Sequence, residues 1–97
     1  MCGIIGINSN KPVSATIINS LKKLEYRGYD SAGMATLNNG LINEVKSEGR
    51  VENLEKNSLV QSMEGTIGIG HVRWATHGLP NSINAHPHSS QNVSVVH

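Results

Sequence analysis

Apolar residues in this chain occur in short blocks, and the period changes from one block to the next. Cys2 to Ile7 is short, nearly continuous in apolar residues and rich in isoleucine, with glycines at 3 and 6; it is predicted as a buried strand. Asn8-Ser9-Asn10-Lys11-Pro12 is a turn that feeds a helix, with Pro12 suited to the first helical turn. From Val13 the apolar residues Val13, Ile17, Leu21 and Leu24 return at helical spacing, and Ile18 widens the stripe. Lys22 and Lys23 complement the negative end of that helix, and Gly28 is its predicted stop.

Leu24-Glu25-Tyr26-Arg27-Gly28-Tyr29-Asp30-Ser31-Ala32-Gly33 is dense in polar and aromatic groups for a simple connection. Gly33 to Leu37 and Leu41 to Lys46 flank Asn38-Asn39-Gly40, a hairpin pattern. Ser47-Glu48-Gly49-Arg50 makes another turn, and Val51 to Met63 is predicted as one helix on the spacing of Val51, Leu54 and Leu59. Thr66 to Trp74 reads as a strand whose Gly68 and Gly70 keep one face bare. The stretch from Ala75 to Gln91 is a long loop with two prolines and three histidines, a length that in compact domains tends to be functional. Val93 to His97 begins a further strand, and a chain end within such a strand is expected of a chain that is cut off. Pattern alone therefore gives an α+β fold in one small domain over residues 1–97.

Composition narrows the function classes. With no Phe, one Trp and two Tyr, the core has to come from Ile, Leu, Val, Ala and Met. A net charge of +1 without a basic block argues against nucleic acid. No apolar run approaches membrane-spanning length, and the N-terminus lacks the pattern of a secretory signal; a cytoplasmic protein is expected. One cysteine excludes an internal disulfide.

That cysteine stands at position 2. If Met1 is removed, Cys2 carries a thiol and a free α-amine on one residue. The thiol titrates near about 8.5 and the amine near about 7.7–8.0, so passing a proton between them costs little near neutral pH. A cysteine inside a chain has a non-basic amide nitrogen and needs a separate base. Position 2 thus suits a nucleophile that serves as its own base.

Three stretches stand together: MCGIIGI, LEYRGYDSAG, and GIGHVRWATHG followed by NAHPH. Together they resemble the glutaminase domain of the glutamine–fructose-6-phosphate aminotransferase (glucosamine-6-phosphate synthase) family, class II glutamine amidotransferases of the N-terminal-nucleophile type. YRGYDSAG and HVRWATHG resemble the sugar-phosphate branch of that class in particular. The resemblance implies part of a four-layer α/β/β/α sandwich with mostly antiparallel sheets. It implies Cys2 as nucleophile on the side-chain amide of glutamine and Arg73 as holder of the substrate α-carboxylate, a role a guanidinium fills with two parallel hydrogen bonds. It implies Trp74, Ala75, Thr76, His77 and Gly78 as the loop over bound glutamine. Arg27 is a candidate to favour the thiolate, and His86 a candidate for support. No cofactor and no metal are implied. Fructose 6-phosphate would be met only through an isomerase domain that this chain lacks.

The family's oxyanion Asn-Gly pair would begin where this chain stops, and its acidic residue for the substrate amine lies beyond. The chain by itself is therefore expected to have little or no activity, and a complementing chain or homo-oligomer is a candidate source of missing strands. Two rival readings remain open. One is a truncated, non-catalytic binding remnant of the same domain. The other is a metal module built on His71, His77, His86 and His88, against which stands the lack of a standard ligand spacing.

Overall fold

The computed structural model describes residues 1–75, 78–79 and 81–97. Strand β1 (Gly3–Asn8) is followed by helix α1 (Ser14–Leu24) and a 3-10 turn (Glu25–Arg27). Strands β2 (Ser31–Asn38) and β3 (Leu41–Glu48) form a hairpin; helices α2 (Val51–Glu55) and α3 (Ser58–Gln61) lead to strand β4 (Ile67–Arg73). Two short strands, β5 (His88–Ser89) and β6 (Ser94–Val95), close the described chain. The first four strands make one antiparallel sheet in the order β1-β4-β2-β3, and β5 pairs with β6 in a separate ribbon. The fold is α+β.

The hairpin turns at Asn39 and Gly40, both with positive φ (52° and 76°), the handedness that matches the twist of the flanking strands. The β2–β4 register sets Met34 opposite Gly70 and Ala32 opposite Val72, so these side chains share one face. Against that face α1 lays Val13, Ile17 and Leu21, all withdrawn from water, and Val45, Val51, Leu54 and Val60 complete the cluster. The helix comes this close because β4 offers no side chain there. A Cβ at Gly68 or Gly70 would stand 2.6 or 2.7 Å from a methyl of Ile17. The face expected to be bare is thus the one the helix fills.

Four expectations need correction. β1 is not buried on both faces: Ile5 and Ile7 are half-covered while Ile4 lies open, which is the alternation of an edge strand. The helix expected over 51–63 is two short ones, because the Asn57 side chain accepts the Leu59 N–H (3.0 Å) and starts a new helix there. Pro12 lies ahead of α1, whose N-cap is Val13. The last strand is shorter than 93–97, and the long loop before it contains β5. Among the described residues no helix is long and apolar enough to cross a membrane.

Candidate active site

The second face of the sheet carries the site. One residue beyond the β1–β4 ladder, whose last rung joins Gly3 to Val72, Cys2 comes level with Arg73, and Arg73 is in register with Ser31 of β2. His71 sits one alternation further along, opposite Ile4 and Gly33. The segment from Ala85 to His97 packs over this face, and Gly33 permits it. A Cβ there would lie 1.9 Å from the His86 carbonyl oxygen. Between the sheet and that segment opens a cavity of about 490 Å³ lined by Cys2, Arg73, Trp74, Asn84, His86, His88 and His97.

Within it the Cys2 thiol points to the Trp74 carbonyl oxygen at 3.9 Å, a weak S–H donation that orients the sulfur. Arg27 donates Nε to the Cys2 carbonyl oxygen at 2.9 Å, so its guanidinium holds the backbone of Cys2. Met1 is exposed, with a 3.9 Å contact from its sulfur to Arg27. Arg73 is buried and donates Nη1 to the Leu79 carbonyl oxygen at 3.0 Å. Asn84 donates to the same oxygen at 3.0 Å, and Gly78, with φ of 78°, lies close beside the Asn84 amide. Ala75 donates its N–H to the Asp30 carboxylate. Thr76 and His77, two of the residues assigned to the glutamine loop, lie outside the described residues.

His86, His88 and His97 line the cavity, and His71 packs against His86. The His86 ring stands 4.3 Å from His71, 4.4 Å from His88 and 4.7 Å from His97, centroid to centroid. His71 is fully buried, with Nε2 at 2.6 Å from the His97 carbonyl oxygen. That oxygen accepts, so Nε2 carries the hydrogen and Nδ1 is left as a bare acceptor. Burial lowers the His71 pKa. Burial, reinforced by the neighbouring rings of His71, His88 and His97, lowers that of His86 to about 4. At neutral pH these two rings are uncharged. The rings meet at tilted or edge-on angles of 31°, 60° and 81°, and among the described residues no three or more His, Cys, Asp or Glu are placed to hold a metal ion.

Three stretches distant in sequence, represented by Cys2, Arg73–Trp74 and His86, therefore share one cavity. Asp30, Asn84 and His97 belong to the same constellation and were not singled out from sequence. Asp30 lay within the quoted YRGYDSAG stretch, and its position just ahead of a strand was the available signal. Asn84 and His97 gave none, because their roles depend on how the loop folds back.

No family model matches the chain. Over all 97 residues it is 54% identical to the glutamine–fructose-6-phosphate aminotransferases [isomerizing] of Mesorhizobium japonicum and Agrobacterium fabrum. It is 55% identical to that of Brucella suis. The chain matches the N-terminal region of the glutamine–fructose-6-phosphate aminotransferases. It spans 16% of the length of these curated relatives. Among solved structures, glutamine phosphoribosylpyrophosphate amidotransferase from B. subtilis, complexed with ADP and GMP, superposes with a TM-score of 0.78 at 25% identity. That match covers 97% of this chain and 20% of the other. The α+β arrangement of this chain is thus shared with a solved glutamine amidotransferase.

Proposed function

We propose that this chain carries the nucleophile and the carboxylate-binding arm of a glutamine amidohydrolase site. The carrying observation is that Cys2 and the Arg73–Trp74 segment, 72 residues on, meet in one cavity with the thiol turned to the Trp74 carbonyl. Once Met1 is removed, the α-amine of Cys2 takes the thiol proton, and the sulfur adds to the side-chain amide carbon of glutamine. The ammonium then returns its proton to the departing nitrogen, which leaves as ammonia. Water cleaves the γ-glutamyl thioester, giving glutamate and restoring the thiol. Arg73, Trp74, Ala75, Thr76 and His77 are the residues assigned to glutamine; Arg27 holds Cys2 in place. In a complete protein of this family the ammonia would pass to fructose 6-phosphate, giving glucosamine 6-phosphate, in the cytoplasm.

The experiment is intact-mass spectrometry of the purified protein before and after exposure to 6-diazo-5-oxonorleucine, an electrophilic glutamine analogue. Loss of the methionine mass together with one adduct on Cys2 that excess glutamine prevents is the expected result. Retained methionine would leave Cys2 without its own base and overturn the mechanism. Processing without an adduct would instead favour a binding remnant.

A further inference from the structure

We propose that Asp30 is a positioning residue for this reaction: its carboxylate anchors the segment 73–75, which carries both the carbonyl facing the thiol and the guanidinium meant for the substrate. The proposal rests on the reading of the site given above. Neighbouring residues ahead of β2 hold successive residues of that segment. The Asp30 N–H donates to the Arg73 carbonyl oxygen at 3.2 Å. The Tyr29 ring meets the Trp74 ring edge-on at 5.7 Å. The Asp30 carboxylate accepts the Ala75 N–H. Gly28 fits against the same backbone, where a Cβ would stand 2.5 Å from the Arg73 carbonyl carbon.

The need for a side-chain acceptor follows from topology. β4 ends at Arg73, so the Ala75 N–H has left the ladder and requires a partner from elsewhere. Asp30 supplies one oxygen to it and offers the other to the Ser31 hydroxyl at 3.1 Å. Its own carbonyl accepts from Gly49 at 2.8 Å, tying this anchor to the end of the β2–β3 hairpin. Ser31 is fully buried and stands opposite Arg73 in the sheet, so the anchor is itself fixed. The Asp30 carboxylate touches none of the reacting atoms. Its effect on the chemistry passes through where it sets Arg73 and the Trp74 carbonyl.

An anchor needs an acceptor oxygen, and a charge taking part in chemistry needs ionisation; asparagine keeps the first and removes the second. In the protein as its gene encodes it, Asp30→Ala is expected to raise KM for glutamine about tenfold or more while kcat changes by less than about threefold. Hydrogen exchange at the Ala75 amide is expected to quicken by about tenfold in the same variant. Asp30→Asn should stay within about threefold of the parent in both, and iodoacetamide should label Cys2 at the parent rate in each. Parent values of KM and exchange in Asp30→Ala would overturn the proposal, as would an asparagine variant as damaged as the alanine one. If Asp30→Ala fails to fold, Asp30→Glu, which displaces the carboxylate by one methylene, is subject to the same measurements. If the parent protein shows no glutamine-protected labelling, the amidohydrolase reading fails, and the exchange arm then decides the anchor: protection kept in the variant overturns it.

Discussion

On the sheet face turned to α1, Met34 and Val72 are fully withdrawn from water, as are Ile17 and Leu21 of the helix above them, whereas the opposite face presents Ser31, His71 and Arg73 and leaves Ile4 and Ile67 open. The same four strands build both. The first face is assembled from side chains that need only be apolar and of the right volume, and α1 closes over it through two glycines of β4. The second is assembled from directional contacts: a carbonyl over Gly33, a carboxylate on the Ala75 N–H, a histidine whose Nε2 meets the carbonyl of His97. A face of the first kind supplies most of the stability. A face of the second kind leaves polar groups placed for chemistry, at the cost of burying imidazoles with an unpartnered nitrogen.

The largest effect is expected on the helix side. Leu21→Ala empties a site that is fully buried beneath Gly70 and should cost about 3 kcal/mol, read as a lower midpoint in urea. Labelling of Cys2 in the fraction that stays folded should be unchanged. Acid should act on the other face. His86 titrates near 6.5 in the unfolded chain and at about 4 when folded. Between those values the unfolded chain takes a proton that the folded one refuses, so the His86 contribution to stability falls as pH drops from 6.5 to 4 and changes no further below. His86 contributes at most about 3 kcal/mol of that loss, with His71 in the same direction, and His86→Phe should flatten the profile measured by denaturation at successive pH values.

Gly33→Ala tests the seam between the sheet and the 85–97 segment. Its methyl would meet the His86 carbonyl, and we expect a loss of about 1–3 kcal/mol together with loss of the cavity floor. In NMR spectra the His71 and His86 ring signals should move while the methyls of Ile17 and Leu21 keep their positions. The smallest effect belongs to the exposed ion pair of Lys22 and Glu55 at 2.7 Å, where Lys22→Ala should change stability by less than about 0.5 kcal/mol.

Much of this architecture was legible from local pattern. The stripe Val13, Ile17, Leu21, Leu24 identified α1, because a helix that must bury one face repeats its apolar residues with the helical period. Asn39-Gly40 identified the hairpin, because positive φ is cheap for those residue types. Cys2 and Arg73 were legible as candidates from their chemistry and motif. The break at Asn57 was missed because a cap competes with propensity over a single residue, and β1 as an edge strand was missed because strand order is a non-local property.

What the sequence by itself determined was which residues can be core, where the chain turns, and that its one thiol is at position 2. Tertiary structure alone decided that Cys2, Arg73, His86, His88 and His97 face one cavity, and that the Asp30 carboxylate accepts from the Ala75 N–H. The physical reason is reach. Periodicity and turn chemistry are written within a few consecutive residues. The pairing of β1 with β4, and the folding of the 85–97 segment onto Gly33, depend on hydrogen bonds and close contacts between residues far apart in the chain.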